Sequence, residues 1–170
     1  MSIRQLGSKM GWEIGEGEWP DFKGRIFEKR PKHLVELLEN TVSNYPDRVG
    51  FISHGQKLTF KEFDQVSDKI AGELKRYHVK KGDRVSLLLG NSLDFPLCFF
   101  ALMKLGAIAV PLNTRFKREE LSYEINHSGS KLLVLDEEYW PNIDPVRAGL
   151  KFPGTSNFWI PCPEIRQARW

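Results

Sequence analysis

The stretch from Val85 to Leu135 constrains the fold most. Val85-Ser86-Leu87-Leu88-Leu89 is short and apolar, follows the turn Gly82-Asp83-Arg84 and stops at Gly90-Asn91. Such a run reads as a buried strand, one that suits a parallel sheet. Phe95 to Leu105 is apolar almost all round, which predicts a helix buried on most sides and closed by Gly106. Ser92 stands where an N-cap belongs, and Pro96 fits a first turn. Ala107 to Val110 reads as another short buried strand, ended by Pro111. Glu119 to His127 reads as a helix with Leu121 and Ile125 inward, ended by Gly129, and Leu132 to Leu135 as a further strand. Strand, helix, strand, helix, strand in that order predicts an α/β fold: a parallel-type sheet flanked by helices, joined by right-handed crossovers.

The flanks differ in character. In Lys32 to Asp136, ahead of the alternation, Leu34, Leu37, Leu38, Val42 and Tyr45 share one helical face. Val49–Ser53 and Leu58–Phe60 around His54-Gly55-Gln56-Lys57 suggest a hairpin. Thr59 and Glu62 form a capping box. Behind it, Phe60, Phe63, Val66, Ile70, Leu74 and Tyr77 recur at steps of three or four, the signature of an amphipathic helix. Residues 1–31 show no sustained period and read as an extended or partly disordered arm. Its Gly15-Glu16-Gly17 lies among acids with no strand before it, so a phosphate-binding fingerprint is rejected. Residues 137–170 read as an irregular tail that does not continue the alternation.

Composition excludes several classes. With 41% hydrophobic and 28% charged residues the chain is an ordinary globular protein. Lys104 interrupts its longest apolar stretch, so no membrane span is expected, and no apolar core follows the start to make a secretory signal. A cytoplasmic protein is expected. Four of the 25 basic residues and one of the 22 acidic ones lie in Arg147–Trp170, so the net charge of +3 belongs to that tail and the rest is neutral. Nucleic-acid binding is not expected of such a body. Cys98 and Cys162 make neither a disulfide framework nor a zinc spacing, and Cys98 reads as a buried thiol. His33, His54, His78 and His127 are scattered and read as surface or turn residues rather than metal ligands.

Several short pieces carry a family resemblance through their order and spacing. They are Leu58-Thr59-Phe60-x-Glu62-Phe63, Val79-Lys80-Lys81-Gly82-Asp83-Arg84-Val85 and Gly90-Asn91-Ser92. Phe100-Ala101-Leu102-x-Lys104-x-Gly106-Ala107, Val110-Pro111-Leu112-Asn113, Glu119-Glu120-Leu121 and Ser128-Gly129-Ser130-Lys131 follow. In this order the stretch resembles the N-terminal subdomain of the adenylate-forming, or AMP-binding, enzyme superfamily. Pro111-Leu112-Asn113-Thr114-Arg115 is most similar to the fatty-acyl-CoA ligase branch.

The resemblance implies a two-step, AMP-forming acid–thiol ligation. A carboxylic acid attacks the α-phosphate of ATP, and the acyl group then passes to coenzyme A, with Mg²⁺ as the family's metal. In such enzymes a Ser/Thr/Gly-rich loop ending in lysine holds the phosphates. His127-Ser128-Gly129-Ser130-Lys131 is the nearest stretch here, but it stands between a helix and a strand where the family has a structural turn, and its glycine content is too low to wrap a triphosphate. No catalytic, cofactor-binding or metal-binding residue is therefore assigned. For Asn91, Asn113, Thr114 and Arg115, scaffold roles are favoured over ligand contact, although Asn91 stands at a strand's C-terminal end, where ligands lie in α/β sheets.

The expectation is an acyl-CoA synthetase fragment, inactive alone. Lys151–Trp170 is read as out-of-frame or replaced sequence, and the family match is expected to end near Val146 or Leu150. The alternatives are a standalone subdomain acting as a binding or partner module of a split enzyme, or a free-standing α/β protein with another role. A subdomain by itself would expose a face and associate through it.

Overall fold

A computed structural model describes the backbone of residues 14–19 and 22–27, residues 31–152 and residues 159–161. Strands β1 (Ile14–Trp19) and β2 (Phe22–Phe27) pair antiparallel. The arm reading did not foresee this hairpin, because glycine and charge hide the strand period. Gly15 and Gly17 sit inside β1, and Gly17 faces Gly24 across the ladder.

Helix α1 (Leu34–Asn44) begins on His33, whose Nδ1 accepts the Glu36 N–H at 3.1 Å. Of its apolar stripe only Leu38 is buried, while Leu34 stays 44% exposed. Strands β3 (Val49–Ser53) and β4 (Gln56–Thr59) form the expected hairpin on a two-residue turn. His54 and Gly55 both have positive φ, at 48° and 78°, the twist that a tight hairpin requires. Helix α2 (Phe60–Arg76) starts on the capping box read from Thr59 and Glu62. It buries Phe63, Val66, Ile70 and Leu74, each worth about 1.5–3 kcal/mol when fully removed from water.

The centre is a four-stranded parallel sheet in the order β6 (Ile108–Pro111), β5 (Arg84–Leu88), β7 (Leu132–Leu135), β8 (Trp159–Pro161). Residues alternate between its two faces. Val85, Leu87, Leu132, Val134 and Ile160 join the core built with α1, α2 and helix α3 (Asp94–Leu105). Leu88, Leu133 and Leu135 join a second core with helix α4 (Arg118–Ser128) and the short helix α5 (Trp140–Ile143). The α/β expectation, a parallel sheet flanked by helices, therefore holds. Gly106 and Gly129 end α3 and α4 at φ of 67° and 61°, conformations that cost a residue with a Cβ more than glycine.

Three readings need correction. β6 is an edge strand rather than a buried one, with Ile108 48% exposed, because β7 inserts on the far side of β5. α3 begins at Asp94 with Leu93 at the N-cap, so Ser92 lies one residue too early to cap it. The Ser92 hydroxyl instead accepts the Asp94 N–H at 3.2 Å and donates to the Asp94 carboxylate at 3.1 Å.

The third correction concerns residues 137–170, which are not irregular throughout. 3₁₀ turns at Glu137–Tyr139 and Asp144–Gly149 flank α5, whose Ile143 is fully buried, and β8 extends the parallel sheet. Pieces of three to six residues are too short to show a period, which is why the sequence concealed them. Cys98 is fully buried, whereas Cys162 lies outside the described residues. Among the described residues no helix is long and apolar enough to cross a membrane.

Candidate functional site

The sheet order places a topological switch at the C-terminal ends of β5 and β7. From β5 the chain runs through α3 to β6 on one side, and from β7 it runs through α5 to β8 on the other. The loops after the two strands therefore diverge and leave a crevice, the position where α/β sheets bind ligands. Hydrogen bonds hold its floor. The Asp136 N–H donates to the Leu88 carbonyl at 3.0 Å, and the Leu112 N–H to the Leu87 carbonyl at 2.9 Å. The Asp136 carboxylate accepts the Gly90 N–H at 2.8 Å, tying the β5 loop to the β7 loop. A Cβ on Gly90 would stand 3.3 Å from the Tyr139 hydroxyl, so this close approach suits glycine.

Two neighbouring hollows with shared lining residues open here. The larger, about 770 Å³, lies between the β3–β4 turn, the loop 89–93, the start of α3 and the loop after β6. Phe51, Leu89, Leu93, Phe95 and Leu112 supply apolar walls, and Asn91, Asn113, Thr114 and Ser53 supply amide and hydroxyl groups. None of its lining residues is Asp, Glu, Lys or Arg. The smaller, about 480 Å³, shares His54, Gly90, Asn91 and Ser92 and adds Asp136, Glu137, Glu138 and Tyr139. The uncharged hollow suits an apolar or neutral group, and the acidic one repels phosphate. Burial first, and then a hydrogen bond to Glu138 and that residue's charge, hold the Tyr139 hydroxyl above the usual phenol range, against an opposing bond to Thr114. It therefore stays protonated at neutral pH and links the β6 loop to the β7 loop.

Three of the four residues that the sequence singled out meet at this cleft: Asn91, Asn113 and Thr114. Asn113 also performs the scaffold work expected of it. Its Oδ1 accepts the Arg115 N–H at 3.0 Å and its carbonyl accepts the Phe116 N–H at 3.0 Å. Arg115 is exposed and does not line the cleft. Sequence reasoning missed Asp136, Tyr139 and the β3–β4 turn. The acid that follows directly on the buried strand Leu132–Leu135 was the available signal for the first two.

Ser128-Gly129-Ser130-Lys131 lies at the opposite end of the sheet and is occupied internally. Ser86 and Ser130 are both fully buried and share a hydroxyl bond of 2.8 Å, and Ser128 bonds Ser130 at 2.8 Å. Lys131 Nζ donates to Asp83 at 2.8 Å and to the His78 carbonyl at 2.6 Å. The turn is structural, not a phosphate cradle.

Among the described residues no group of three or more His, Cys, Asp or Glu side chains is placed to hold a metal ion.

A profile of the AMP-binding enzyme family matches residues 38–157, more than half of the chain. The chain belongs to the AMP-binding enzyme family. Among curated relatives, the long-chain-fatty-acid–CoA ligase FadD13 of Mycobacterium tuberculosis is 38% identical over 104 residues, which is 61% of this chain and 21% of that protein. The long-chain-fatty-acid–CoA ligase of Salmonella typhimurium is 30% identical over 127 residues, covering 74% of this chain and 23% of the relative. The chain thus spans about a fifth of the length of these relatives. In structure it is similar to the N-terminal domain of FACL13 from Mycobacterium tuberculosis, with a TM-score of 0.72 at 32% identity over 78% of this chain and 34% of that one. It is also similar to the anthranilate CoA ligase AuaEII in complex with anthranoyl-AMP, with a TM-score of 0.72 at 25% identity over 79% of this chain and 26% of that one. The chain is therefore an N-terminal region of the acyl-CoA synthetase type. The family match passes Leu150 to residue 157, further than the sequence reading placed it.

Proposed function

We propose that this chain supplies the N-terminal scaffold of a cytoplasmic AMP-dependent fatty-acyl-CoA ligase. The enzyme's reaction would join a carboxylic acid to coenzyme A with cleavage of ATP to AMP and pyrophosphate. The observation that carries the reading is the family match over residues 38–157, on a parallel sheet whose C-terminal end opens into a cleft. In this reading the chain's own residues shape and exclude water rather than transfer groups. Phe51, Leu93, Phe95 and Leu112 provide an apolar wall, and Asn91, Asn113 and Thr114 provide neutral hydrogen-bonding groups along it. ATP, Mg²⁺ and coenzyme A would be held mainly by the rest of such an enzyme. Nothing in the sequence offers the Gly-rich loop with lysine that a triphosphate needs. Residues 1–170 by themselves then form no adenylate.

The test is fatty-acid-dependent exchange of pyrophosphate into ATP. The 170-residue chain is assayed alone, and its residues 38–157 are assayed in place of the matching segment of FadD13. No exchange by the chain and exchange by the chimera is the expected result. Exchange by the isolated chain would overturn the scaffold reading, and a folded chimera inert toward every fatty acid would overturn the ligase reading.

A further inference from the structure

Three loops meet at the C-terminal end of the sheet, and one side chain reaches all three. The Tyr139 hydroxyl, on the loop after β7, donates to the Glu138 carboxylate and accepts from the Thr114 hydroxyl on the loop after β6. The Gly90 backbone, on the loop after β5, comes so near that a Cβ there would stand 3.3 Å from the same oxygen. The rest of the residue aims this oxygen. Its ring packs against the core of Leu88, Leu133 and Leu135, and its N–H donates to the Asp136 carbonyl at 3.0 Å.

The loop after β6 is anchored at both ends and tied at its middle. Leu112 before it and Phe116 after it pack on the second core, and the Leu112 N–H still bonds the Leu87 carbonyl at 2.9 Å. Asn113 and Thr114 lie between these anchors. The bonds from the Arg115 and Phe116 N–H groups to Asn113, both 3.0 Å, shape the turn but stay within it. Thr114 is half-buried, and its hydroxyl bond to Tyr139 crosses to the loop of another strand. Tyr139 lines the smaller, acidic hollow and not the larger, uncharged one, so it acts on the larger through Thr114.

We propose that Tyr139 is a positioning residue of the ligase: by holding Thr114 it fixes the Asn113–Thr114 wall of the uncharged hollow, against which the uncharged part of the carboxylic acid rests. The inference deepens the ligase reading and rests on it for what the cleft receives. A wall that serves substrate and transition state alike contributes uniform binding, so loosening it raises KM and leaves kcat in place. A purely structural loss would instead lower the folded fraction, reducing the apparent kcat at constant KM.

The experiment has two parts. In the FadD13 chimera carrying residues 38–157, Tyr139→Phe should raise KM for the fatty acid about three- to tenfold in pyrophosphate exchange, with kcat and KM for ATP nearly unchanged. Thr114→Val should do the same, and the double variant should add little to either single one, because both remove one bond. In the 170-residue chain, Tyr139→Phe should speed hydrogen exchange at the Arg115 and Phe116 amides severalfold. The Gly90 amide should keep its rate, since Asp136 still holds it. An unchanged KM for the fatty acid, a fall in kcat in its place, or additive effects of the two substitutions would overturn the positioning role. Unchanged exchange at Arg115 and Phe116 would overturn the tie itself. A folded but inert unsubstituted chimera would count against the ligase reading instead, and with it against the acid as the occupant of the cleft, while exchange in the chain still decides whether Tyr139 holds the loop.

Discussion

The two ends of the central sheet are built on opposite plans. At the N-terminal end, the polar groups between the strands are spent on one another. Asp83 holds Lys131, Ser86 holds Ser130, and the carbonyls of His78, Gly106 and Gly129 each accept a bond from another turn. At the C-terminal end, a few bonds pin the loops, and two hollows remain open between them. The contrast separates scaffold from site. A motif whose hydroxyls and ammonium already bond within the fold has little left for a ligand, whatever its sequence resembles. That is why Ser128-Gly129-Ser130-Lys131 reads as architecture and the plain residues Asn91 and Thr114 stand at a cleft.

The largest way to probe this comparison is through the core common to both ends. Phe63 is fully buried and stacks on Phe51 with ring centroids 3.9 Å apart. Phe63→Ala should cost about 3–5 kcal/mol in urea unfolding, and a smaller loss would mean that the β3–β4 hairpin does not depend on this stack. Next is Lys131→Met, which leaves the partly buried Asp83 carboxylate without its ammonium. About 1–2 kcal/mol is expected, because residual solvent contact softens the fully buried case.

The same pair has a pH signature. Burial on its own would raise the Asp83 pKa, but the Lys131 hydrogen bond, the Lys80 N–H and the charges of the two lysines together bring it below the ordinary 3.8. A depressed carboxylate stabilises the fold above its unfolded pKa, and this contribution disappears as pH falls through the folded value. The stability gap between the native chain and Asp83→Asn should therefore be constant at neutral pH and close only below about pH 3.8. A gap that closed near neutrality would assign the coupling to a histidine instead. Smallest of all, Asn91→Ala at the exposed rim of the cleft should alter stability by no more than about 0.5 kcal/mol. A larger loss would make the C-terminal end as much scaffold as the other.

Legibility followed length and period. α2 was readable because its apolar spacing persists over 17 residues and begins on a capping box. β5 and β7 were readable as unbroken apolar runs between turn residues. β8 and α5, of three and four residues, were not, because so few residues carry no period. Lys104 showed the limit within a readable element. It looked like a mere interruption of an apolar stretch, yet its ammonium bonds Asp64 and Asp68 at 2.7 Å each and fastens α3 to α2. Partners 36 and 40 residues away leave no local trace. In the cleft, Asn91 could be placed from its position after a strand, whereas Tyr139 enters it only because the 3₁₀ turn Glu137–Tyr139 folds back toward Gly90.

By itself, then, the sequence determined the α/β alternation, the Thr59–Glu62 cap, the main turns, the buried strands β5 and β7 and the family. Each of these rests on interactions between residues close in the chain or on the burial of a continuous apolar run. Only the tertiary structure decided that β7 inserts beside β5, leaving β6 at the edge. Strand order depends on which apolar faces pack after the crossovers close, and several orders satisfy the same local pattern. From that order follow the switch point and the cleft beside it.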